Sequence, residues 1–261
     1  MKKLQLDRYQ TMLKVLLIKK CRMIKHKMMR RFAVLALKGA PEYFWTEPAS
    51  TSGRFHAGES LAEHVIYCLI YGKDHIRMIQ EGKYPWNDQQ ESIFYTALIC
   101  HDLYRSGMPG RELRDEEGKL RTDNLHPIYA PMALKFLDLY IGKEDKTWYA
   151  KNNLPWAKLE DAMSGHYGPW SPISSLDPTV GRDFRDISLH VFLVDYIVSR
   201  GCLRVVSEEI DELKRNWDLY QAGEIDWFGI PKGYPENTKD WNRKIAKKQR
   251  EDRFKELYGE E

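Results

Sequence analysis

The sequence predicts an all-α protein, and three observations carry that expectation. Residues from about 4 to 37 are rich in Leu, Met, Lys and Arg with no internal Gly or Pro. Further along, apolar residues recur at helical spacing behind capping residues. No stretch alternates apolar and polar residues as a strand would, and no segment repeats. With 261 residues, 43% hydrophobic and 30% charged, the chain can bury a core of one sizeable domain with attached helices.

The elements follow in order. The first helix is expected over about 4–37, ended by Gly39 and Pro41. Leu13, Leu16, Leu17, Ile24, Met28 and Phe32 recur along it at helical spacing and imply one buried face with a solvated basic side. Turn formers fill the loop from Glu47 to His56. Ser60-Leu-Ala-Glu63 is a capping box, so a helix starts there, runs to about Ile79 and carries His64 in its first turn.

A second apolar run, Glu91 to Leu103, ends on Cys100-His101-Asp102 before the break at Gly107-Met-Pro-Gly110. After a polar loop over 107–123, Asn124 and Pro127 suit the start of a helix to about Tyr140, with His126 at its mouth. A short helix over Trp156–Ser164 stops at Gly165-His166-Tyr-Gly-Pro, and a strongly apolar helix from about Phe184 to Cys202 carries Asp195. A charged helix near Ser207–Gln221 and a polar tail helix over about 239–258 complete the reading. Three segments result: a basic amphipathic helical stretch 1–38, a catalytic domain 39–203 and a helical extension 204–261.

Composition limits the function classes. Cys21, Cys68, Cys100 and Cys202 form no CxxC pair and mostly lie in apolar runs, which suits a reduced, cytoplasmic setting. No stretch is long enough to span a bilayer, and the apolar run Val15–Ile18 is too short for a signal-peptide core. Residues 1–38 hold twelve Lys/Arg against Asp7 alone, which leaves 29 basic and 37 acidic residues in the remainder. Positive charge is therefore concentrated at the N-terminus, where an anionic partner such as nucleic acid could meet it.

Divalent metals that activate water take imidazole and carboxylate ligands from several separate elements. Candidates occur in the order His64, His101-Asp102, His126, His166 and Asp195, each at or inside an expected helix end. An adjacent His-Asp pair is weak by itself; the ordered set is much stronger.

That set resembles the HD superfamily of metal-dependent phosphohydrolases, whose signature is a His, a His-Asp pair and a distant Asp, with two further His in its two-metal subgroup. The resemblance rests on Ser60-Leu-Ala-Glu-His64-Val, Ala97-Leu-Ile-Cys-His101-Asp102-Leu-Tyr-Arg105, His126-Pro-Ile-Tyr-Ala130 and Gly165-His166-Tyr-Gly-Pro-Trp170. The stretch from Tyr43 to His56 is similar to a segment of uncharacterised microbial and phage HD proteins, and the whole likeness covers about residues 40 to 202. It implies a helical bundle in which His64, His101, Asp102 and Asp195 hold one metal while Asp102 bridges to a second held by His126 and His166. The metals implied are two divalent transition ions drawn from Mn, Fe, Co, Ni or Zn. Metal-activated water would then cleave a phosphoester, with Asp102 and Arg105 as the catalytic residues. Many members place Lys three residues after the Asp; Arg105 stands here, which favours phosphate binding over proton donation.

The substrate contacts expected are Arg105, His56 and Tyr167, with His56 equally open to a structural hydrogen bond or a further ligand position. Tyr104, Tyr167 and Trp170, taken singly, read as cavity wall. His26 reads as solvated, and His75 and His190 as lying outside the site. The leading expectation is hydrolysis of a nucleotide or related small phosphoester. A single-strand nuclease using residues 1–38, a di-iron oxygenase with the same ligands, and a non-enzymatic nucleotide sensor are the alternatives.

Overall fold

The computed structural model describes residues 6–49, 59–141, 155–183, 185–200 and 207–226. These residues are mostly helical and contain no strand; isolated bridges join Pro48 with Ser60 and Arg114 with Leu120. The all-α expectation is met. Contacts divide the described residues into two compact units, 14–200 and 6–13 with 207–226.

The helices are α1 (Arg8–Lys20), α2 (Lys27–Lys38), α3 (Glu42–Thr46), α4 (Leu61–Gln80), α5 (Asp88–Cys100), α6 (His126–Ile141), α7 (Trp156–Ser164), α8 (Ile187–Ser199) and α9 (Glu208–Gln221). Short 3-10 turns cover Cys21–Met23, Gly165–Trp170 and Ser174–Leu176. The expected tail helix over 239–258 lies outside the described residues.

The one long helix expected over 4–37 is two. Ile24 and His26 are extended (ψ 106° and 112°), and α2 starts afresh at Lys27. No Gly or Pro marks this break, because tertiary contacts satisfy the groups it frees. His26 Nδ1 accepts from the Met29 N–H, while the His26 N–H donates to Ser92 Oγ at 3.0 Å on α5. Arg30 Nε donates to the Ile24 carbonyl at 2.8 Å. His26, expected to be solvated, is therefore a helix cap. Five of the six expected apolar positions are buried; Met28 is only half-buried, and the break turns Met29 inward in its place.

Helix α5 is the axis of the larger unit, packing against α2, α4, α7 and α8. Every residue from Glu91 to Cys100 is buried, as befits a helix surrounded by others. It starts at an Asn87–Gln90 capping box, three residues before the apolar run that announced it. Gly72 lets α4 approach α5 closely, since a Cβ there would stand 2.9 Å from Leu98 Cδ1. Glu91 is buried at the end of this packing and meets Lys25 Nζ at 2.9 Å.

His75 and His190 also belong to this core. His75 Nε2 and His190 Nδ1 lie 2.7 Å apart, between Trp86 and Phe94, and both residues are buried. His75, expected only to lie outside the site, is an interior residue, turned inward by the close α4–α5–α8 packing.

Candidate metal centre

Each candidate ligand is placed by a local device. The capping box forms as expected, with Ser60 Oγ accepting from the Glu63 N–H at 3.2 Å and Glu63 Oε2 accepting from the Ser60 N–H at 2.7 Å. It sets the start of α4 and brings His64 inward one turn later. His101 is the C-terminal cap residue of α5, and Asp102 follows in the turn. Tyr43 holds that turn: its Oη donates to the Gly107 carbonyl at 2.7 Å and accepts from the Ser106 N–H at 3.2 Å. The Asp123 N–H donates to the Arg105 carbonyl at 2.8 Å, which returns the chain to the His-Asp turn just before His126 opens α6. His166 stands in the 3-10 turn after α7, and Asp195 is on α8.

The six side chains converge as two groups, His64 with His101 and Asp195, and Asp102 with His126 and His166; within each, the potential ligand atoms lie within 4.8 Å of one another. His64 Nε2 is 2.9 Å and His101 Nε2 3.5 Å from Asp195 Oδ1. Asp102 joins the groups, its Oδ2 lying 3.6 Å from His101 Nε2 and its Oδ1 3.1 Å from His126 Nε2. His166 Nε2 lies 3.6 Å from Asp102 Oδ1 and 3.0 Å from His126 Nε2. Ser199 Oγ donates to Asp195 Oδ1 at 3.0 Å and orients that carboxylate.

The tautomers are set by backbone carbonyls. His101 Nδ1 faces the Leu98 carbonyl at 2.9 Å, His126 Nδ1 that of Asp123 at 2.6 Å, and His166 Nδ1 that of Met163 at 2.5 Å. A carbonyl only accepts, so each Nδ1 carries a hydrogen, and a ring that holds no second proton presents a bare Nε2 lone pair. Two such lone pairs 3.0 Å apart, on His126 and His166, repel unless a proton or a metal ion stands between them. Ligand atoms about 2.1 Å from a shared ion lie roughly 3.0–3.5 Å apart for angles between right and tetrahedral. The observed separations suit a divalent ion, and each buried group can hold one.

Charge gathers on the same groups. Burial resists charge on Asp102, but His101, His126, His166 and Arg105 outweigh it and hold the carboxyl well below its usual range. Asp195 is likewise held ionised against burial by His101 and His64. Burial also opposes charge on His101, yet Asp102 and Asp195 raise its pKa to about 9. Burial lowers that of His166. Cys68 Sγ lies 3.5 Å from His64 Nε2, but burial, with Asp195 and Asp102 nearby, keeps it a thiol, a poor ligand.

Both groups open on a cavity of about 670 Å³ whose walls include Asp102, Arg105, His126, His166 and Asp195. Arg105 reaches it while donating to the Ala49 carbonyl. Tyr167 lines it with its ring edge-on to His126, 5.1 Å away. Tyr104 is fully buried and takes no part in the lining, while His56 lies outside the described residues. Sequence reasoning missed Phe192, Tyr196, Ser199 and Arg200, which also line the cavity. Their signal was present: counted from Phe192, they and Asp195 fall at the three-, four-, seven- and eight-residue offsets of one helical face. Comparison with protein-family models, curated proteins and solved structures returns no match.

Proposed function

We propose that this chain is a metal-dependent phosphohydrolase of the HD type that its sequence resembles, cleaving a phosphoester of a nucleotide or a related small substrate. One observation carries the reading: two His/Asp groups, joined through Asp102, face a single cavity beside the guanidinium of Arg105.

His64, His101 and Asp195 would hold one divalent ion, and Asp102, His126 and His166 the other. Such a pair, when bound, acidifies a water nucleophile and offsets charge on the phosphoryl oxygens. The protein's own contributions are orientation and charge. Backbone carbonyls aim the imidazole lone pairs, Ser199 fixes the Asp195 carboxylate, and Arg105 offers a fork of donors to a phosphate. A guanidinium is a phosphate binder and a poor proton donor, which leaves protonation of the leaving group to water or to the substrate's own groups.

The test is metal analysis of the purified protein together with release of phosphate from a nucleotide panel. Asp102→Ala is expected to lose both metal and turnover, and retained turnover would contradict the assignment. The same six residues suit a di-iron oxygenase, so the assay is run with and without dioxygen; hydrolysis proceeds equally in both.

A further inference from the structure

Trp170 departs from ordinary packing. It lines the cavity, yet it remains 53% exposed, on a backbone held tightly in place. The 3-10 turn that presents it docks on α8 through two glycines. A Cβ on Gly165 would fall 1.8 Å from Ser188 Oγ, and one on Gly168, where φ is +56°, would fall 2.3 Å from the Phe192 ring. Only glycine permits that approach, which seats the turn directly against α8. The Trp170 ring then lies parallel to that of Tyr196, with centroids 5.4 Å apart and 11° between planes. The Arg200 guanidinium lies 5.5 Å from the Trp170 centroid and 5.6 Å from that of Tyr196, in cation-π range of both.

We infer that Trp170, backed by Tyr196 and steadied by Arg200, is a stacking platform for the planar base of the substrate. This rests on the phosphohydrolase reading for the other part of the cavity, where Arg105 and the His/Asp groups take the phosphoryl group, and it narrows the substrate class to nucleotides. An indole left half exposed offers an apolar, π-rich surface that suits the flat face of a base. A cavity of this volume has room for both parts of a mononucleotide. Stacking accepts any base, so the platform selects for the presence of a base rather than its identity.

The test uses full-length, metal-loaded protein and two probes that do not turn over: the methylenephosphonate analogue of adenosine 5′-monophosphate, and the methylenephosphonate analogue of ribose 5-phosphate, which lacks only the base. Calorimetry is expected to show Trp170→Leu weakening the nucleotide analogue roughly tenfold or more, with the ribose analogue unaffected and Trp170→Phe recovering most of the loss. Equal affinity of wild type and Trp170→Leu for the nucleotide analogue, or equal losses on both probes, would overturn the platform. Phosphate release is followed separately. Trp170-dependent binding without release would leave the platform standing and remove the hydrolytic reading, whereas release with no dependence on Trp170 would do the reverse.

Discussion

The buried His75–His190 pair makes acid stability directly testable. The Nε2 and Nδ1 atoms 2.7 Å apart share one hydrogen, and His75 is only 7% exposed between aromatic rings. Burial first, and repulsion from His190 second, hold the His75 pKa down to about 4. In the unfolded chain the ordinary value is about 6.5, so below that pH the unfolded state takes up a proton that the folded state refuses. The contribution to stability is therefore fully present above about pH 6.5, is lost as the pH falls toward 4, and is constant below that. Between pH 7 and 5 the loss is about 1–2 kcal/mol after allowance for residual screening. Urea unfolding at both pH values, followed through tryptophan fluorescence because Trp86 lies 4.9 Å from His190, measures it. His75→Gln keeps a polar partner for His190 but does not titrate. With chelator present in every arm, the wild type is expected to lose about 1–2 kcal/mol more than this variant. Equal losses in the two proteins would refute the reasoning.

Other outcomes follow from the same structure. Metal affinity is expected to keep rising above neutrality toward pH 9, because His101, raised to about 9 by Asp102 and Asp195 against its burial, must release its proton before it can bind a metal; calorimetric titration at about pH 7.5 and 8.5, above the ordinary histidine range, would show a flat affinity if His101 were not a ligand. Gly168→Ala forces a Cβ against Phe192 at a positive φ, so a loss of about 2 kcal/mol or more is expected in denaturant unfolding. Leu17→Ala removes a fully buried side chain and is expected to cost about 2–5 kcal/mol while leaving metal content unchanged. Arg105→Ala is expected to lower kcat/KM on a phosphoester by roughly 10- to 100-fold with metal still bound; lost metal would mean that Arg105 holds the fold of the site rather than the substrate.

Local chemistry made much of this protein legible in one dimension. The Ser60–Glu63 capping box, the turn residues near Gly107 and the composition of Trp156–Ser164 predict helix ends that the structure places within a few residues, because caps and breakers act over three or four positions. The order of His64, His101-Asp102, His126, His166 and Asp195 could likewise be read, since each stands beside such a signal. What the sequence could not convey depended on groups distant along the chain. The break at Ile24–His26 exists because Ser92, sixty-six residues away, accepts the freed N–H; the His75–His190 pair spans 115 residues. Convergence of the six candidate ligands, and the stacking of Trp170 on Tyr196 beside them, required α4, α5 and α8 to pack together with the turn after α7. The residue types were determined by the sequence alone; the distances at which they can share a cation or face a base were decided only by tertiary packing, because both interactions act over a few ångströms between side chains on different helices.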